Sequence, residues 1–131
     1  MAFLDDMLTL AQNKGLGTPG TDLFQSLLPD SPDTLVAFFE YQGRRPLFAM
    51  QPSRANTIER PTLHAAVRGA TYETAVLLAD SVFQAFNGYS GIVGSVNYLF
   101  ICAIVSPVDV GRDELGRSRL VINFEVSRIN P

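Results

Sequence analysis

The side chains that could carry chemistry are few in this sequence, and they are scattered. His64 is the only histidine and Cys102 the only cysteine. A zinc site needs several His or Cys ligands, and an acyl-transfer triad needs a base beside a recognisable nucleophile motif. GYSG, beginning at Gly88, lacks the final glycine spacing of a nucleophile elbow, so His64 reads as structural or interfacial. Cys102 lies inside the apolar run YLFICAIV, where a buried thiol acting as a small hydrophobe is expected and an activated thiolate is not. Asp5 and Asp6 are neighbours on a helix, so they point about 100° apart and cannot share a proton; they suit the positive end of the helix dipole. Asp109, Asp113 and Glu114 lack the alternating ligands and fixed glycine of a calcium loop. GLGTPG has neither the lysine nor the strand-to-helix setting of a phosphate loop, and its glycines are turn formers. No catalytic residue, metal ligand or cofactor is expected from this set.

One charged cluster stands out. Arg112, Asp113, Glu114, Arg117 and Arg119 surround the turn sequence DELG, and Asn123 and Glu125 follow on the polar face of the next strand. The residues fit an ordinary hairpin loop. They also fit a docking loop whose mixed charges pair across a subunit boundary and fix register.

The elements that must position these residues follow from periodicity. Phe3, Leu4, Met7, Leu8 and Ala11 share one helical face, and Gly15 ends that helix. TDLFQSLLPDSPD reads as a short strand or turn ending at Pro29, with Pro32 preventing continuation. Thr34 to Gln42 is dense in β-branched and aromatic residues and predicts a strand. Gly43 to Arg60 predicts a peripheral loop or weak hairpin. Thr62 to Arg68 alternates, with Leu63, Ala65 and Val67 on one side. Tyr72, Ala75, Val76, Ala79, Val82, Phe83 and Phe86 keep the 3.6-residue period, with Thr71 as N-cap and Gly88 at the left-handed C-terminal position. Tyr98 to Val105 is apolar on both faces and predicts a central strand. Leu120, Ile122, Phe124 and Val126 then point one way and Val121, Asn123, Glu125 and Ser127 the other. This second set is too polar for a core and should face solvent, a lumen or another subunit. The strands are not separated by regular crossover helices. The expected class is α+β, a small antiparallel or mixed β-sheet with helices packed on one face.

With 131 residues, the chain fits one domain over 1–131 with room for a substantial core. Apolar residues make up 47% and charged residues 18%, against about 25% charged in typical domains. Such a composition often hides apolar surface against copies of itself or a partner. The net charge of −3 lacks the basic excess that supplies affinity for phosphates, which disfavours tight nucleic-acid binding. MAFLDDML carries two acids and no basic leader region, and no run approaches the 18 or so apolar residues that span a bilayer. A cytosol-like compartment and no membrane are expected.

In combination, SP, GRDELGR and NFEV in that order, preceded by GLGTPGTDLFQSLLPDSPD, LVAFFEYQG and PTLHAAVRGATYETA, are fairly specific. Together they resemble the phage minor capsid proteins understood as tail terminators of long-tailed phages. The matching pieces span nearly the whole chain; Gly43 to Arg60 matches least, and no role is carried over to it. The resemblance implies a compact α+β subunit with an antiparallel sheet and no catalysis. It implies a homohexameric ring that caps the tail tube, stops polymerisation of tube protein and presents a surface to the neck. The partners would be further copies, tail tube protein and a neck or connector protein. Genome DNA would pass through the lumen unbound, and the ring would be assembled in the host cytoplasm and sit in the virion at the head–tail junction. Two other readings stay open: a neck-completion protein of the same junction, or a small α+β ligand-binding or enzymatic domain with a pocket around Tyr98, His64 and Arg68.

Overall fold

The computed structural model describes residues 3–48 and 57–129. Helix α1 (Phe3–Asn13) leads into β1 (Leu23–Gln25), β2 (Leu35–Phe48) and β3 (Thr57–Gly69). Helix α2 (Tyr72–Phe86) then precedes β4 (Tyr89–Val93), β5 (Val96–Ala103), β6 (Val108–Arg112) and β7 (Ser118–Ile129). The strands form one sheet in the order β1-β2-β3-β7-β5-β4, with β6 paired to β7 as well. β1 runs parallel to β2 and every other pair is antiparallel. The protein is therefore mostly β, with a mixed sheet and two helices.

Strand β7 is the hub, and its alternation shows why. Leu120, Ile122, Phe124 and Val126 are all buried and lie in one core cluster with Leu63, Ala65 and Val67 of β3. Register puts Ile122 beside Ala65 and Ala65 beside Phe38 of β2. The ring of Phe86 from α2 stacks on Phe38 at 5.5 Å and tilts against Phe124 at 5.7 Å. From α1, Phe3, Met7, Leu10 and Ala11 enter the same cluster at helical spacing.

The hydroxyl of Thr71 caps α2 by accepting from Thr74 N at 3.2 Å. At the far end Gly88 takes φ +83°, and its N–H donates to Ile101 O at 2.7 Å. That left-handed turn delivers the chain straight into β4. The buried stripe of α2 is narrower than its apolar pattern: Ala75, Ala79, Val82 and Phe86 are buried, but Tyr72 is 53% exposed. Small residues explain the difference. Alanines at 75 and 79 let the helix settle onto β3, so closely that a Cβ on Gly69 would lie 2.5 Å from Ala75 N. Tyr72, in the first turn, stays outside that contact.

Several expectations are corrected. Of the two readings of Gly43 to Arg60, the hairpin replaces the loop at both flanks: Gly43 to Phe48 and Thr57 to Arg60 extend β2 and β3 as a long hairpin with register shifts after Tyr41 and Arg44. Residues 49–56 of that stretch lie outside the described residues. The Ser106 to Ser118 connection contains β6, which pairs with the first half of β7 while β5 pairs with the second half. β5 is accordingly one strand from the edge. Cys102 is exposed, because β5 carries apolar residues on both faces and only one face is covered; Cys102 sits opposite Glu125 on the other. Asp6 keeps its place in the first turn of α1 but is fully buried. Tyr98 OH donates to Asp6 Oδ2 at 2.7 Å, and Arg128 extends the chain of contacts to Glu59 at 3.0 Å.

Candidate interface site

Residues pointing away from the core on β2, β3 and β7 form the candidate site. Register aligns Phe39 with His64 and His64 with Asn123 across the three strands, and Ala37 with Ala66 and Val121. The His64 ring stacks on Tyr41 at 4.8 Å and its Nδ1 lies 2.8 Å from Asn123 Oδ1. Glu125, next along that row, receives Arg44 at 2.7 Å. Phe39, Tyr41, His64, Ala66 and Val121, with Leu28 and Val110, line a groove of about 200 Å³. Its lining is apolar and aromatic with a polar rim, which suits contact with another apolar surface more than chemistry on a small molecule. Phe100 of β5, Ile104 and Val105 just after it, and Val108 of β6 are each at least 42% exposed.

The GRDELGR loop lies at one end of this face and has an internal order of its own. Asp113 Oδ1 accepts from Leu115 N and Arg117 N, both at 3.0 Å, while Asp113 Oδ2 accepts from Arg117 Nε at 2.7 Å. The guanidinium of Arg117 also reaches Asp30 O and, at 3.4 Å, Asp33 Oδ1. Arg117 is therefore buried and committed inward, fastening the loop to the Asp30–Asp33 segment. Arg68 does the same from β3, donating to Asp33 O at 3.1 Å and Pro32 O at 2.7 Å. Burial, and then the nearby Arg117 charge, hold its guanidinium below the ordinary arginine value. Arg112 and Glu114 are exposed, and Arg119 is half-buried. Asp30, Arg68, Arg112, Glu114 and Arg119 border an open hollow of about 600 Å³.

The predicted residues thus separate by role. Asn123 and Glu125 belong to the sheet-face row; Arg112, Asp113, Glu114 and Arg119 belong to the hollow; Arg117, buried beside the hollow, ties its loop to the Asp30–Asp33 segment. The imagined pocket around Tyr98, His64 and Arg68 does not assemble, since Tyr98 is buried with Asp6 in the core while His64 points from the opposite face. Reading the sequence alone missed Leu28, Phe39, Tyr41 and Val110. For Phe39 and Tyr41 the one signal was the apolar character of both faces of Thr34 to Gln42; Leu28 and Val110 had none. Among the described residues no group of three or more His, Cys, Asp and Glu side chains converges, and no helix is long and apolar enough to cross a membrane.

Asp113 carries a pH consequence. Loss of hydration pushes its carboxyl up, but donation from Arg117 N, the Arg117 guanidinium and Leu115 N outweighs that and holds it below the ordinary 3.8. A carboxyl depressed on folding adds stability that is complete above its unfolded pKa and is lost as pH falls through the folded value. The melting temperature of the native protein should therefore fall more steeply between about pH 5 and pH 2 than that of Asp113→Asn. Parallel slopes in the two melting series would refute this.

The fold is thus β-rich, with an aromatic groove on one sheet face and a charged loop beside it. Residues 10–128 match the family model described as bacteriophage tail terminator protein, and the chain belongs to that family. Among solved structures, a chain described as "Virion of native gene transfer agent (GTA) particle" superimposes with a TM-score of 0.61 at 14% identity. The match covers 92% of this chain and 84% of that one, and at this identity it speaks for the fold alone. No curated protein matches the chain in sequence.

Proposed function

We propose that this protein is a structural virion component, a tail terminator that forms a homohexameric ring on the end of the tail tube. There it ends tube polymerisation and joins the tail to the neck and head. The observation carrying this reading is the uncovered face of β2, β3 and β7. Its aromatic groove and polar row are a surface that a single subunit leaves unfilled, in a chain belonging to the terminator family. The described chain acts as one domain whose helices cover one side of the sheet and leave the other for assembly.

The partners are further copies, the tail tube protein and a neck or connector protein, and the role is non-enzymatic. A ring of subunits each carrying −3 gives DNA little to adhere to as it passes through the lumen. Assembly in the host cytoplasm followed by residence at the head–tail junction of the virion completes the proposal.

Omitting the protein during phage assembly tests it. Overlong tail tubes without heads are expected in electron micrographs. Tails of normal length lacking only a neck component would overturn the terminator role and assign the protein to the neck.

A further inference from the structure

Arg119 is the one member of the charged cluster with an open requirement. Its Nε is buried and has no hydrogen-bond acceptor among the described residues, whereas Arg68 and Arg117 both have theirs. A buried guanidinium N–H without an acceptor costs stability until something supplies one. Arg119 borders both the apolar groove and the charged hollow, so an occupant of the groove would bring its own polar atoms to that nitrogen. The occupant should be apolar in the middle and acidic beside it.

The protein carries such a surface on α2. Glu73, Leu77 and Asp80 fall at i, i+4 and i+7, one stripe of the helix, and all are exposed, Leu77 at 68%. The two carboxylates stand about 10 Å apart along the axis, on either side of the leucine. α2 packs through Phe86 on the sheet face that carries Phe38 and Phe124, while the groove opens on the face that carries Phe39, His64 and Val121. A subunit therefore cannot fill its own groove.

We propose that the α2 stripe of one copy docks into the sheet-face groove of the next, with Leu77 among Phe39, Tyr41 and Val121 and a stripe carboxylate accepting from Arg119. This rests on the ring reading and specifies its interface. Each copy offers its helix to one neighbour and its groove to another, a head-to-tail contact that closes into a ring when the rotation permits.

Cysteine pairing tests the arrangement directly, in a Cys102→Ser background that removes the exposed native thiol. One preparation carries Leu77→Cys and the other Val121→Cys; the two are mixed and oxidised, as purified protein and within assembled tails. The mixed disulfide is expected to exceed either self-pairing several-fold, and Arg119→Ala should weaken subunit association about tenfold. Rings or tails that assemble without the mixed disulfide, or in which Leu77→Cys pairs mainly with itself, would overturn the interface and leave the terminator role standing. Normal tails in the absence of the protein would remove the terminator role itself, which the cross-link does not measure.

Discussion

Arg117→Ala should destabilise the isolated subunit by about 3 kcal/mol, lowering its melting temperature by on the order of 10 °C. The expectation follows from what the side chain holds together. Its guanidinium, 7% exposed, binds Asp113 through Nε, reaches the Asp30 carbonyl and approaches Asp33. Hydrogen bonds to charged groups are worth about 1.5–3 kcal/mol each, and Arg117 makes them to Asp113 and to the Asp30 carbonyl. Asp113 keeps some access to water and two backbone donors, so the lower end applies. The hairpin tip and the Asp30–Asp33 segment should loosen together, which backbone amide exchange at Leu115 and Asp33 would register. Arg112→Ala, at an exposed position two residues past the β6 bulge, should stay within about 0.5 kcal/mol of the native protein. Equal melting temperatures for the native protein and Arg117→Ala would show that these contacts contribute nothing net.

That contrast marks how far the sequence could be read. Charge, turn residues and spacing located the GRDELGR loop, but nothing in a one-dimensional pattern separates Arg112 from Arg117. The separation depends on Asp30 and Asp33, more than 80 residues away in the chain, being brought to one side of the hairpin by β2 and β7. Asp6 is the same case on the opposite face. Its helix position suggested a partner for the dipole and said nothing of burial, which is matched by the arrival of Tyr98 from β5. Local patterns succeeded where the partner is the solvent or the core as a whole, as in β7 and α2. Cys102 failed for a related reason: a strand apolar on both faces looks central, yet one of its faces has no covering layer within the subunit. β6 went unseen because VDVGR is short and glycine-bearing, and it becomes a strand only by pairing with β7.

The proposed assembly accounts for one group of these departures. The exposed apolar residues of β5 and β6, the aromatic groove and the unpaired nitrogen of Arg119 all depart from what a self-sufficient domain would show. Sequence rules assume that apolar faces are buried within the chain that carries them. Where burial is completed by another copy, pattern and exposure disagree, and that disagreement marks the candidate surface here.

Phe86→Ala carries the second large effect, about 3–5 kcal/mol, on a different part of the fold. Phe86 is fully buried between Phe38 and Phe124, and so joins the end of α2 to both β2 and β7. Truncation forfeits the area it buries and two aromatic contacts, and rigid strands on both sides prevent the space from collapsing. Against a total stability of about 5–15 kcal/mol for a domain of this kind, the variant should melt far earlier and be prone to unfold at growth temperature. Tyr72→Ala provides the control. Its position shares the helical apolar pattern of Phe86, yet the ring is 53% exposed and its loss should change stability by less than about 0.5 kcal/mol. Chemical denaturation of the two variants measures the difference directly. Similar midpoints would mean that α2 is fastened evenly along its length. The expected gap of several kcal/mol places the fastening at its C-terminal end, which leaves the Glu73–Asp80 stripe free to engage a neighbour without disturbing the core.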